Sequence, residues 1–481
     1  MIESYLIRQF SDYLSTTLGF HYHEDKVAEL KADLPEISRK LGFISVEECL
    51  STIMQNQLPP EKVNQLASII TIGETYFFRD TSLFSSLRNF ILPELIRKKE
   101  KTDDKRIRIL SAGCSTGEEA YSIAILLKEL IPDLNNWNIV IQGVDINPRA
   151  VEAAHRAEYS KWSFRQVDQM VIDRYFKTDG AVYQLDSEIK RMVSFSIMNL
   201  VGDVYPSLVT NTTALDMVFC RNVLMYFKQD TINKVVEKLT QSLLYDGCFF
   251  VASAELPLIY NSALTRVSKN ELLYFRKQSF VDAITPGKAV VKLNSRLKRR
   301  PEVKKIHPMK VINSTKDELG ELNKQLEYNY LKGNYELAMK SIEKILGLEP
   351  RNSNAIFYQI KMLCNTGELS RAKELTEKLF EFDKLNTIPY ILNAMILVEE
   401  GNLINALKYI DRALYLDPEL FIGNYMKGNL LINSENSSRA HKFYKNALKI
   451  LEQTSDEDII PFTDGMSAMR LKEIIQLRLK T

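Results

Sequence analysis

The chain has 481 residues, 45% of them hydrophobic, enough for two or three domains of the usual ~100–200 residues with sizeable cores. A net charge of +2, from 63 Lys or Arg against 61 Asp or Glu, supplies no basic field for nucleic acid. Five scattered cysteines without a C-x-x-C pair argue against a disulfide scaffold or zinc site, and no run of ~18 apolar residues predicts a membrane span.

These features, with an N-terminus that lacks a basic and apolar leader pattern, predict a soluble protein of a reducing, cytoplasmic compartment. Residues 1–90 read as helical, with apolar positions three and four apart in YLIRQFSDYLSTTLGF and from Val27 to Leu41. Gly19 and Gly42 are stops, and Pro59-Pro60 precede a further helix from Glu61 to about Ile70. Lys26, Lys31, Arg39 and Lys40 suit either an acidic partner or a solvated helix face. His21 and His23 are close but have no third metal ligand near them in sequence. In TIGETYFFRD, Phe77 and Phe78 are expected at the seam between helical and sheet domains, holding Arg79 where ligand sites tend to lie.

The stretch Ile107–Leu127 organises the chain around it. An apolar strand runs into the small-residue loop SAGCST, then into a helix over Ala120–Leu127. That is how a doubly wound sheet presents backbone to a nucleotide-like ligand, and Gly113 and Gly117 permit close approach. The spacing G-x-G-x-x-G is absent, and Glu118 and Glu119 in the first helical turn suit a cationic ligand, such as a sulfonium with an amino-acid tail, better than a pyrophosphate. Ile139–Val144 is a second buried strand ending in Asp145, a position that commonly accepts from ribose hydroxyls. Residues 160–195 break the rhythm with aromatics and a Thr178-Asp179-Gly180 turn, predicting a small antiparallel excursion. The sheet resumes with Val193–Leu200, where Asn199 can meet a nucleobase edge, and with Leu215–Cys220 followed by Arg221 and Asn222. A helix over Gln229–Leu244 and the strand CFFVAS, ending near Glu255, complete this part.

Taken in order, TIGETYFFRD, ILSAGCSTGEEAYSIA, GVDIN, FSIMNL, VFCRNVLMYF, DGCFFVASAE and YFRK resemble the chemoreceptor glutamate methyltransferases, the CheR family, over residues 1 to about 278. The resemblance implies an α/β fold: a helical N-terminal domain, a Rossmann-like class I methyltransferase sheet with a small β-subdomain, and S-adenosyl-L-methionine as cofactor. It implies that Thr75 and Arg79 approach the methyl-donor end, Glu118 holds the amino-acid portion, Asp145 the ribose, and Asn199 and Leu200 the adenine. Gly113, Asn222 and Val223 line the cofactor, and Arg79 and Tyr226 face the reaction centre. Methyl-accepting chemoreceptor cytoplasmic domains are the implied partners, with recruitment to receptor clusters at the membrane but no insertion. Gly73 departs from members that carry a cofactor-contacting asparagine there, and the compact turn between Phe176 and Tyr183 argues against docking on a receptor tether.

Residues 285–316 read as a linker, with nine Lys or Arg between Lys288 and Lys310 against the single acid Glu302, suiting a solvated tether or an anionic membrane surface. Beyond it Ala338, Ala372, Ala406 and Ala440 recur every 34 residues, and Gly333, Gly367 and Gly401 keep the same period. This resembles tetratricopeptide repeats, all-α helix pairs that offer a groove for a protein or peptide ligand. Glu435 stands where a fourth glycine is expected, and Asp464–Leu479 is expected to supply a capping helix. The domains are thus expected at 1–90, at 91–284 with a β-subdomain near 160–195, and at 317–481. The expected activity is glutamate carboxylate methylation in chemosensory signalling, leaving S-adenosyl-L-homocysteine. The alternative is a catalytically weak scaffold in which the repeats carry the function.

Overall fold

Apolar spacing at three and four builds the first layer. Helices α1 (Ser4–Thr17), α2 (Val27–Lys40), α3 (Val46–Met54) and α4 (Pro60–Ile70) bury Ile7, Phe10, Leu14, Leu30, Leu34, Ile37, Leu50 and Leu66 in one shared core. The computed structural model describes residues 4–22, 26–55, 58–101, 105–207, 210–270, 272–278, 314–331, 335–365, 367–382, 385–400, 402–432, 437–463 and 466–480. His23 and the linker as far as residue 313 lie outside the described residues, as do Gly333, Gly401 and Glu435.

Phe77 does not pack against these helices. It is fully buried with Tyr159, Phe164 and Phe176, at ring distances of 4.8, 5.2 and 5.0 Å, and its N–H donates to the Ser163 carbonyl. Phe78 packs edge-on against Phe84. The expected helical-domain seam is therefore a seam between the sheet and the small subdomain. Phe77 buries its ring in an aromatic cluster there. Helices α5 (Thr81–Ser86) and α6 (Leu92–Lys101) likewise send Leu83, Phe84, Leu92 and Ile96 into the core of the sheet.

The strands are β1 (Arg106–Ala112), β2 (Asn138–Asp145), β3 (Glu158–Tyr159), β4 (Phe176–Thr178), β5 (Tyr183–Leu185), β6 (Val193–Ile197), β7 (Leu215–Phe219), β8 (Leu243–Phe250), β9 (Leu264–Lys269) and β10 (Leu272–Lys277). Seven form the main sheet in the order β6-β2-β1-β7-β8-β10-β9, parallel from β6 to β8, with β10 antiparallel to both neighbours. Three make the small sheet β3-β5-β4, the antiparallel excursion expected near 160–195. The main strands are apolar on both sides because helices cover both faces. Ile107 and Ile109 point toward α7 (Glu118–Leu130) and α8 (Pro148–Arg156), whereas Leu110 and Ala112 share a core with Val235, Val236 and Leu239 of α11 (Gln229–Ser242). The subdomain also carries the short helices α9 (Gln169–Tyr175) and α10 (Ser187–Arg191).

The C-terminal region has nine helices among the described residues: α12 (Ser314–Leu331), α13 (Tyr335–Leu348), α14 (Ser353–Asn365), α15 (Leu369–Phe382), α16 (Thr387–Glu399), α17 (Leu403–Leu416), α18 (Phe421–Ile432), α19 (Ser437–Glu452) and α20 (Ala468–Lys480). Ala338, Ala372, Ala406 and Ala440 each occupy the fourth residue of the second helix of a pair and are wholly buried. A larger side chain there would force the paired helices apart. The terminal helix runs over Ala468–Lys480; Asp464, where the capping helix is expected to begin, lies outside the described residues. Nor is the groove simply open. Phe462 packs edge-on against Phe357 of α14 at 5.2 Å, and Ile460, Met466, Leu471 and Ile475 share one core with Ile356, Ile360, Leu392 and Met395. Residues between Ile460 and Ile475 thus pack against α14 and α16 of the repeats. The repeats also rest on the sheet: the buried Arg108 of β1 pairs with the buried Glu399 of α16 at 2.6 Å.

Candidate active site

A cleft of about 990 Å³, counting the part open to solvent, lies at the carboxyl ends of β1, β2, β6 and β7. Open parallel sheets bind ligands at this edge, where the strand order reverses beside the first strand. The segment 71–80 crosses one side, and Leu18 and Phe20 approach from the helical layer.

The loop after β1 is drawn against β2. Gly113 and Cys114 donate N–H bonds to the Val144 carbonyl at 2.7 and 3.0 Å. Gly113 has φ +76°, and a Cβ there would meet Val223 Cγ2 at 2.2 Å, so only glycine lets the two loops close. Asp145 accepts from Ser115 N–H at 2.8 Å and Asn147 N–H at 2.9 Å, one on each carboxylate oxygen. Each oxygen keeps an acceptor position toward the cleft. Burial raises the Asp145 carboxyl above its ordinary range, opposed by these backbone donors.

The segment 71–80 is held in a costly backbone conformation. Phe78 and Asp80, on either side of Arg79, have φ of 56° and 80°, a left-handed region that non-glycine residues seldom occupy. Three bonds fix it. Phe78 N–H donates to Ser122 Oγ at 2.9 Å, and Arg221 donates to the Arg79 carbonyl at 3.2 Å and the Asp80 carboxylate at 3.0 Å. Strain retained this way at a cleft is a mark of function. The Arg79 guanidinium donates to the Glu74 carbonyl at 2.6 Å and lines the cleft with Thr75 and Tyr226.

The opposite loop is organised by a residue whose role the sequence does not advertise. Glu255 is fully buried, and its carboxylate accepts from the N–H groups of Asn222, Val223, Met225 and Ala252 at 2.9, 2.8, 3.2 and 2.9 Å. That holds Asn222 at φ 59° and brings Val223 and Tyr226 to the cleft. Its one sequence signal is a carboxylate just beyond an apolar strand.

Thr75, Arg79, Gly113, Asp145, Asn199, Leu200, Asn222, Val223 and Tyr226 all line this one cleft. Glu118 does not. It is buried, with its carboxylate accepting from Thr116 Oγ1 at 2.6 Å and Ser163 Oγ at 3.0 Å, and burial raises its pKa. Its neighbour Glu119 faces the cleft, bonded to Ser111 Oγ and Arg221. Consecutive helical side chains point about 100° apart, so one of the pair has to turn toward the subdomain. Asn199 lines the cleft but not as a free nucleobase reader. Its carboxamide oxygen accepts from Val201 and Gly202 N–H, and its amide donates to the Thr17 carbonyl at 2.7 Å.

The lining suits S-adenosylmethionine. Asp145 offers acceptors for ribose hydroxyls, Glu119 a carboxylate for a cationic end, and Met198, Leu200 and Ile146 an apolar wall for a purine. With strands taken along the sheet as third, second, first, fourth, fifth, seventh and sixth, and this cleft at the switch point, the class is that of an S-adenosylmethionine-dependent, Rossmann-like methyltransferase. Residues 73–271 match the family model described as CheR methyltransferase, SAM binding domain. Among relatives, a probable biofilm formation methyltransferase, WspC, of Pseudomonas aeruginosa is 33% identical over 46% of this chain, which spans 50% of that protein. Chemotaxis protein methyltransferase 2 of Vibrio cholerae is 29% identical over 60% of this chain and 96% of its own length. A chemotaxis protein methyltransferase of Borreliella burgdorferi is 28% identical over 49% of this chain and 83% of its own. Among the described residues no helix is long and apolar enough to cross a membrane.

Proposed function

We propose that this chain is a protein-glutamate O-methyltransferase acting on chemoreceptor cytoplasmic domains in chemosensory signalling, with the repeats from about Asp317 recruiting a further protein partner. The observation that carries the reading is the Arg79 guanidinium at the cleft, on a strained segment tied down by Arg221. A guanidinium receives a carboxylate by two parallel hydrogen bonds, which fixes the direction from which an oxygen approaches.

When bound, the cofactor supplies a methyl group on a sulfonium; a carboxylate oxygen forms the new C–O bond as the C–S bond breaks, leaving neutral S-adenosylhomocysteine. A glutamate side chain, which ordinarily titrates near ~4.3, is already ionised at neutral pH, so the protein needs no general base. Its work is placement. Arg79 orients the acceptor carboxylate, and Tyr226 lines the same cleft. Asp145 holds the ribose, and Glu119, rather than Glu118, faces the amino-acid end. Phe20 packs on Tyr226 at 5.8 Å, and His21 N–H donates to the Tyr226 carbonyl, so the helical layer helps to exclude water from the reacting pair.

The test is transfer of labelled methyl from S-adenosylmethionine to purified cytoplasmic fragments of methyl-accepting receptors. A glutamyl methyl ester releases its label as methanol in mild base. Label that survives base indicates nitrogen or sulfur methylation and overturns the glutamate assignment. Absence of transfer to any receptor fragment, with cofactor bound, favours the scaffold.

A further inference from the structure

The last helix touches the cofactor cleft's wall. In α20, Arg470 donates from Nη2 to the Ile197 carbonyl at 3.1 Å and to Asp203 Oδ2 at 2.7 Å. The same Asp203 oxygen accepts from the Asn199 N–H at 2.8 Å, and the Asp203 N–H returns a bond of 2.8 Å to the Asn199 carbonyl. Asn199 and Leu200 line the cleft. One guanidinium therefore grips both the end of β6 and the turn that forms the apolar wall. The ion pair is well shielded, with side chains 17% and 21% exposed, so it is screened far less than a surface pair.

The helix that carries Arg470 is itself held by the repeats. Ala468, Leu471 and Ile475 are wholly buried in the core that contains Ile360, Leu392 and Tyr444. The helix start is pinned as Ala468 and Met469 donate to the Asp458 and Asp456 carbonyls, and Lys472 pairs with the Asp456 carboxylate at 2.7 Å. A rigid mount on one side and a two-pronged grip on the cleft wall on the other is the arrangement of a residue that sets a loop's position.

We infer that Arg470 is a positioning residue for the cofactor site: through Asp203 it fixes the Asn199–Leu200 wall, and the repeat region contributes to cofactor binding by holding the helix that carries it. The inference is independent of which acceptor is methylated.

Binding of S-adenosylhomocysteine to the full chain, measured by calorimetry alongside thermal unfolding, tests it. Arg470→Ala should weaken affinity about tenfold, the scale of one lost charged hydrogen bond. It should raise the KM for S-adenosylmethionine while leaving kcat at saturating cofactor within about twofold. Arg470→Lys, which keeps the positive charge for Asp203 on a differently shaped head group, should fall between. Asp203→Asn, which keeps the shape and removes the charge, should reproduce part of the loss and serves if Arg470→Ala does not fold. In Arg470→Ala combined with Asp203→Asn the two losses should be less than additive. A clamp that is only structural would lower the melting temperature and leave affinity unchanged. Unchanged affinity in the folded Arg470→Ala chain, or in Asp203→Asn if that chain does not fold, overturns the inference.

Discussion

Arg221, at the end of β7, holds the Asp80 carboxylate at 3.0 Å, and the residue before Asp80 is Arg79. A buried guanidinium on the central sheet thus anchors the backbone that carries the half-buried guanidinium of the cleft. The two arginines have different work. Arg221 spends its donors on Asp80, Glu119 and the Arg79 carbonyl. Arg79 donates to one local carbonyl and keeps the rest of its fork at the cleft.

Arg79→Lys should therefore separate chemistry from folding. The segment 71–80 is held by Arg221 and Ser122, so the fold and most of the cofactor affinity should persist. Methyl transfer should fall roughly a hundredfold, about 3 kcal/mol of transition-state stabilisation, because an ammonium is a point charge without the planar fork. Single-turnover rates at saturating cofactor and acceptor measure this. Near-normal rates in both Arg79→Lys and Arg79→Ala would remove Arg79 from the reaction centre.

Asp145→Ala removes the only carboxylate at the end of β2 and also strips acceptors from Ser115 and Asn147. The expected cost to S-adenosylhomocysteine binding is about 1.5–3 kcal/mol, the range for hydrogen bonds to a charged group. Asp145→Asn separates the two contributions. It keeps one oxygen and should lose less if the loop contacts dominate. Calorimetry on folded mutants that finds wild-type affinity in both would show that the ribose sits elsewhere.

Much of this site is legible in local sequence because each strand announces its own end. Asp145 directly follows one apolar run and Asn222 comes one residue after another, and the buried alanines every 34 residues need only a ruler. What is not legible is whichever partner arrives from far along the chain. Glu118 and Glu119 are equivalent in sequence, and distant partners set them apart: Ser163, folded over from the subdomain, holds Glu118 away, and Arg221 holds Glu119 at the cleft. Asn199 reads as a free amide until Thr17, from the helical layer, takes its donor. Phe77 reads as a seam residue but its neighbours are the aromatics Tyr159, Phe164 and Phe176, far onward in the chain. The repeats read as a detached module, yet Glu399 and Arg470 reach strands more than 250 positions earlier in the chain, with separations of 261 for the Glu399 carbonyl and 273 for Arg470.

Glu255 gives a prediction about the loop rather than the ligand. Four backbone N–H groups converge on one carboxylate, and an amide in its place would point its own N–H₂ at some of them. Glu255→Gln should therefore destabilise the protein by roughly 2 kcal/mol through unsatisfied buried donors and slow methyl transfer at least about tenfold by loosening Asn222 and Tyr226. Denaturant titration and single-turnover kinetics report the two effects separately. Wild-type behaviour in both would mean that the loop holds its left-handed turn at Asn222 without the carboxylate.

The last prediction concerns acid. His155, on α8, packs its ring edge-on against Phe195 at 5.6 Å in a recess shared with Ile474 and Arg478 of α20. Burial first, then the positive charges of Arg478 and Lys190, lower its pKa from 6.5 to about 4. The folded protein therefore prefers the neutral ring, while the unfolded chain takes up a proton near pH 6.5. Stability from this group is complete above about pH 6.5 and is lost as the pH falls toward 4, by at most about 3 kcal/mol at ~1.4 kcal/mol per unit. Because the recess lies between α8 and α20, the loss falls on the docking of the terminal helix that carries Arg470. Cofactor affinity should weaken over the same pH window. Substituting His155→Gln, which keeps a polar side chain of similar reach but does not titrate, should flatten that limb of both profiles. Equal slopes of stability against pH between 6.5 and 4 in the wild type and the His155→Gln chain would assign the acid response to other groups.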